Sequence, residues 1–80
     1  MSTPILMPDL GVEYASISLW FVEVGEPVWE GERVVEVLTS GATFDVVAPA
    51  TGRLAAKCVF PNERVENGQT LGTVDPTAHH

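Results

Sequence analysis

Basic residues, histidine and cysteine are scarce in this chain of 80 residues, and each scarcity excludes something. Four lysines and arginines stand against eleven aspartates and glutamates, a formal charge of −7. A nucleic-acid backbone has to be met by clustered Lys and Arg, so the balance argues against nucleic acid, and equally against an anionic membrane surface. An acidic module meeting a basic protein surface is the simpler reading. A single cysteine, Cys58, cannot build an internal disulfide and suits a reducing compartment, so a cytoplasmic protein is expected. The two histidines, His79 and His80, close the chain, which leaves no Cys/His spacing for zinc and no Ser-His-Asp set. There is no glycine-rich phosphate loop either. No metal, no cofactor and no catalytic residue is expected; the chain is read as no enzyme by itself.

Long apolar runs are missing too. The most apolar stretch, "ISLWFVEV", is broken by Glu23, far short of the ~20 residues a spanning helix needs. No basic region precedes an apolar stretch near the start, so no targeting or membrane segment is expected. A helical period is also absent, and prolines at 4, 8, 27, 49, 61 and 76 would interrupt any long helix.

What remains is the pattern of strands. The hydrophobic fraction of 45% with 19% charged residues belongs to a globular chain, and 80 residues suffice for one small domain. We place it at residues 1–76, followed by a tail at 77–80. Alternation puts Ile17, Leu19 and Phe21 on one face of a strand, with Ser18, Trp20, Val22 and Val24 on the other. In "RLAAKCVF" it sets Leu54, Ala56, Cys58 and Phe60 together, and in "ATFDVVA" Ala42, Phe44 and Val46. The stretch "EVLTSGATFDV" reads as a hairpin bent at Thr39-Ser40-Gly41-Ala42, with almost no chemistry at its tip.

An internal repeat organises these strands. "GEPVWEGERVVEV" from Gly25 aligns with "NERVENGQTLGTV" from Asn62, an offset of 37 residues. Glu26 matches Glu63, Val28 matches Val65, Gly31 matches Gly68 and Val37 matches Val74. Each half alone would leave an apolar sheet face bare, so the halves must pack together as a pseudo-twofold sandwich or flattened barrel. The Ser40-Gly41 tip then corresponds to Thr77-Ala78, which places the hairpin and the chain termini at opposite ends.

The pieces "PILMPDLG", "VGEPVWEGERVVEV", "EVLTSGATFDV", "VAPATGRL" and "VENGQTLGTV" resemble, in this order, the biotinyl/lipoyl domain family. Within it they are most similar to the lipoyl domain of 2-oxo acid dehydrogenase acyltransferases. The resemblance covers about Pro4 to Val74 and implies a flattened β-barrel of two four-stranded antiparallel sheets, the hammerhead fold. Lipoyl domains read approximately Glu-x-Glu-Thr-Asp-Lys-Ala at this hairpin, and the tip lysine carries the lipoyl group. Here the framework is kept as Glu36, Thr39, Ala42, Phe44, Val46, Ala48, Pro49 and Gly52. The lysine position is Gly41, the aspartate before it Ser40 and the nearby glutamate Leu38. The Met-Lys-Met of a biotinyl domain is absent as well.

The other chemistry-bearing residues read blandly. Lys57, the one lysine, falls mid-strand on the more polar face and reads as an ordinary surface lysine. Cys58 has no histidine within the domain to serve as its base and shares a face with Leu54, Ala56 and Phe60, so it reads as a buried core thiol. The carboxylates sit mostly in turns and read as solvated surface. Trp20 and Trp29 fill the core or anchor a contact surface. The loop "GVEYAS" matches the segment that helps partner enzymes recognise lipoyl domains, which makes Glu13 and Tyr14 contact candidates beside the plain reading as a surface loop. The resemblance implies a protein partner within a multienzyme complex. The reading is therefore a lipoyl-like interaction or structural module without a prosthetic group. Two alternatives stand beside it: a carrier that uses Lys57 or Cys58, and a fragment of a longer acyltransferase.

Overall fold

The computed structural model describes residues 2–77. Seven strands follow one another: β1 (Thr3–Leu6), β2 (Ala15–Trp20), β3 (Pro27–Val28), β4 (Arg33–Thr39), β5 (Ala42–Val47), β6 (Gly52–Lys57) and β7 (Thr70–Asp75). Among the described residues no helix interrupts them. Every pairing is antiparallel, in one sheet ordered β1-β7-β6-β3 and another ordered β2-β4-β5. The expected count of two four-stranded sheets is thus corrected to four and three. In the second sheet the fourth strand is reduced to one bridge, Ser16 to Arg64. Arg64 and Val65 are the repeat mates of Pro27 and Val28, whose own strand is only two residues long. A strand that short needs little loss to become a single bridge.

The repeat is visible bond by bond. Ile17 N–H donates to the Glu63 carbonyl, and its mate Leu54 donates to Glu26. Asn62 N–H donates to Ile17 as Gly25 does to Leu54, and Met7 to Gln69 as Ala48 does to Glu32. Gly25 and Asn62 both turn with positive φ, +94° and +73°. The repeated glutamate has a local task. The Glu26 carboxylate accepts from Glu23 N–H at 2.7 Å, and that of Glu63 from Phe60 N–H at 2.6 Å, closing the same turn twice.

The core lies between the sheets and is built from mates: Ile17 with Leu54, Val28 with Val65, Val34 with Leu71, Val37 with Val74. Simple alternation does not give this set, because four β-bulges interrupt it. Ser18 and its mate Ala55 are the extra residues in β2 and β6; Val34 and its mate Leu71 are those in β4 and β7. A bulge puts two residues opposite one and reverses the facing beyond it. Val34 and Val35 are therefore both fully buried. By the same mechanism two predicted faces are corrected. Leu19 parts from buried Ile17 and is 41% exposed; Cys58 and Phe60 part from buried Leu54 and face solvent, with Val59 taking the inward place.

Thr3 pairs with Val74, so the first and last strands lie side by side in the same sheet. The Ser40-Gly41 hairpin belongs to the other sheet. Ala78, His79 and His80, including the second half of the Thr77-Ala78 match, lie outside the described residues.

Candidate functional site

Strands β4 and β5 keep one register from Val35 opposite Val46 to Thr39 opposite Ala42, which leaves Ser40 and Gly41 as a two-residue loop. Of the two only Gly41 has positive φ, +81°, the place where a type II turn requires glycine. Thr39 Oγ1 donates to the Ala42 carbonyl at 3.1 Å and ties the turn across its base. Leu38, opposite Thr43, points outward and is 46% exposed. A side chain built at Gly41 would meet nothing within 4 Å. The tip is therefore open, well formed and without an amine.

The amine of this chain is elsewhere. Lys57 ends β6, its Nζ 3.2 Å from a Glu23 carboxylate oxygen and 5.4 Å from the Trp20 ring centroid. Only 13% of its side chain is exposed, which corrects the expectation of an ordinary surface lysine. The strand's bulge at Ala55 turns Lys57 onto the indole. Trp20 is itself fixed, its Nε1–H donating to the Val59 carbonyl at 3.0 Å while its ring lies against the core and over Gly72. The neighbouring Cys58 is exposed, not buried as expected, for the same reason of reversed facing.

Register gathers some of the contact candidates and separates others. Ala15 pairs with Thr39, so Glu13 and Tyr14, just before β2, lie beside the base of the hairpin. Both are exposed. Arg64 holds them: its guanidinium stacks 4.9 Å from the Tyr14 ring and donates to the Glu13 carbonyl at 3.3 Å. The sequence reading missed this arginine, although its place in the repeat, as the mate of Pro27, marked it as an edge residue. Trp20 sits half-buried toward the other end of β2, paired with Val35. Trp29, 51% exposed, follows β3 in the other sheet, where Glu30 N–H donates to Thr51 Oγ1. Among the described residues no three His, Cys, Asp or Glu side chains come together as a metal set.

Two antiparallel sheets related by an internal twofold, with the Ser40-Gly41 hairpin projecting from the second, define an all-β module. The family model described as biotin-requiring enzyme matches residues 3–74, and the chain belongs to that family, the biotinyl/lipoyl domains. It is 36% identical over 69 residues, 84% of its length, to the lipoamide acyltransferase component of the branched-chain alpha-keto acid dehydrogenase complex of Pseudomonas putida. To the dihydrolipoyllysine-residue succinyltransferase component of the 2-oxoglutarate dehydrogenase complex of Bartonella vinsonii subsp. berkhoffii it is 35% identical over 80 residues, 98% of its length. The chain spans only 16% and 20% of these two proteins. The solution structure of the lipoyl domain of the 2-oxoglutarate dehydrogenase complex from Azotobacter vinelandii has the same fold. The TM-score is 0.72 at 24% identity, covering 90% of this chain and 94% of that one.

Proposed function

We propose that this lipoyl domain is not a carrier: it works as an interaction or structural module, without lipoate or biotin, related to the acyltransferase component of a 2-oxo acid dehydrogenase complex. The observation that supports this is the hairpin tip. Its two residues, Ser40 and Gly41, offer no amine, and the chain's one lysine is held against Trp20 and Glu23 at the end of another strand. A ligase that acylates a lysine must reach its Nζ on a projecting turn, and Lys57 stands in neither that place nor that exposure. On this reading the domain has no catalysis of its own, works in the cytoplasm, and its partner is a protein of the multienzyme assembly. The short span relative to the curated relatives fits a domain cut from a longer acyltransferase. Co-expression with an active lipoate ligase, and separately with a biotin ligase, followed by intact mass measurement, tests the central point. The unmodified mass is expected, and a lipoyl or biotinyl increment mapped to Lys57 would overturn the reading.

One observation favours a second reading. The Cys58 thiol faces solvent, so a group could be carried there as a thioester or disulfide. The same spectra, taken with and without reductant or hydroxylamine, separate this case from the first.

A further inference from the structure

A sheet edge is a row of backbone donors and acceptors that proteins normally block. Three of the four edges here are blocked. The outer side of β2 is bonded by the 62–65 segment, through Asn62 to Ile17, Ile17 to Glu63 and Val65 to Ala15. Strand β3 is two residues long and begins with Pro27. Strand β1 carries Pro4, which has no N–H. Strand β5 has none of these devices. It runs six residues, "ATFDVV", with no proline and no lysine, in unbroken register from Val46 to the turn, and no strand lies on its outer side among the described residues. Its mate across the twofold is β1, and Asp45 stands where β1 has Pro4, so the symmetry is broken at the one residue that closes an edge.

A groove of about 380 Å³ runs along this open edge. It is lined from β1 and its exit by Pro4, Ile5, Leu6 and Pro8, and from β5 and its exit by Phe44, Val46, Val47 and Pro49. Residues of both facings line it, so it is the gap between the two edge strands. No charged side chain enters the lining. The outer face of the same sheet is different: Glu36 and Asp45 stand directly opposite each other, with Arg33 3.7 Å from Asp45 as a partial counter-charge. Like charges at such a pair repel, and a cation on the next strand would relieve them.

We propose that β5 accepts an extended segment of a partner protein as an added strand. In it, alternate side chains that face the groove are apolar, and the residue opposite Asp45 is lysine or arginine. Strand addition draws affinity from main-chain bonds and selectivity from pockets for every second side chain, and the open edge and the groove supply one of each. Charge chooses the occupant. A second copy of this chain would bring another −7 to the contact, whereas a basic segment complements it. The proposal names the partner chemistry of the interaction module proposed above and rests on that reading.

The test uses the 80-residue chain, labelled with ¹⁵N, and an acetylated peptide of about eight residues alternating valine with lysine. Two controls replace lysine by glutamate or N-methylate every second backbone nitrogen. Amide shifts on β5 from Ala42 to Val47, with smaller ones at Ile5 and Leu6, are expected with the lysine peptide. Binding about tenfold weaker or worse is expected for both controls. Phe44→Glu, at a half-exposed position, should abolish binding while leaving the melting temperature nearly unchanged, and Asp45→Lys should shift preference to the glutamate peptide. Equal binding of the N-methylated peptide, or shifts spread over other acidic surfaces, would overturn the proposal in favour of plain charge attraction. Sedimentation showing a dimer abolished by Phe44→Glu, without peptide binding, would overturn it in favour of a second copy. The intact mass of the same sample reports separately on whether the domain is a carrier.

Discussion

Gly41 and Gly72 occupy their places for opposite reasons. At Gly41 there is room for any side chain but the backbone holds φ at +81°, so substitution meets strain and no clash. At Gly72 the backbone is ordinary and the space is gone: an added methyl would stand 2.5 Å from the Ala56 carbonyl oxygen and 2.9 Å from the Trp20 ring. Gly41→Ala is therefore expected to cost about 1 kcal/mol, and Gly72→Ala about 2–3 kcal/mol because a backbone carbonyl cannot give way. Urea unfolding followed by tryptophan fluorescence checks both, and equal costs would contradict this division. Cys58 gives a second check at this scale. Its exposed thiol should react with an aromatic disulfide reagent in the folded protein as readily as in urea, whereas a thiol silent until unfolding would mean it is covered.

The hairpin and the bulges show what a sequence discloses at the level of elements. The turn at Ser40-Gly41 was legible to the residue, because a two-residue glycine loop between alternating apolar runs has few other outcomes. The all-β class was legible from alternation and proline spacing, whereas the strand count was not, since the resemblance implied two sheets of four and the sheets hold four and three. The bulges were not: Ser18 and Ala55 carry no mark that distinguishes them from neighbours in a regular strand, yet each reverses every side chain beyond it. Cys58 was misplaced for that reason alone, and Leu19 with it. The repeat held a usable signal, since a facing error in one half must recur in the other. The hairpin also supports a test of how much carrier competence the scaffold keeps. Leu38 is outward and half-exposed, so Leu38→Glu removes little packing, and Gly41→Lys adds about 1 kcal/mol of strain in open space. The triple variant with Ser40→Asp should fold and be at least partly lipoylated by a co-expressed ligase, read by intact mass. A folded triple variant left wholly unmodified would mean that recognition was lost beyond the turn.

Across the whole molecule the twofold sets core residues at equivalent positions in halves that differ in sequence. Val28 and Val65 are mates buried to 0% and 3%, each at the start of a Val-x-x-Gly turn and each packed between the sheets. Removing two methyl groups at either should cost about 2–3 kcal/mol. The two Val→Ala variants are expected to agree within about 1 kcal/mol, with unchanged denaturant dependence; a much cheaper Val65→Ala would show that the reduced edge at Arg64 leaves its half loosely packed. A frame preserved on both sides of the axis, carrying a tip without an amine on one side, is the combination from which the non-carrier reading comes. The most direct measurement of that reading is the intact mass of the protein purified from the cells that normally make it, under conditions that preserve thioesters and disulfides. The mass of the unmodified polypeptide is expected, with Lys57 and Cys58 recovered free in the digest. A lipoyl or biotinyl increment on Lys57, or a thiol-linked group on Cys58, would contradict it.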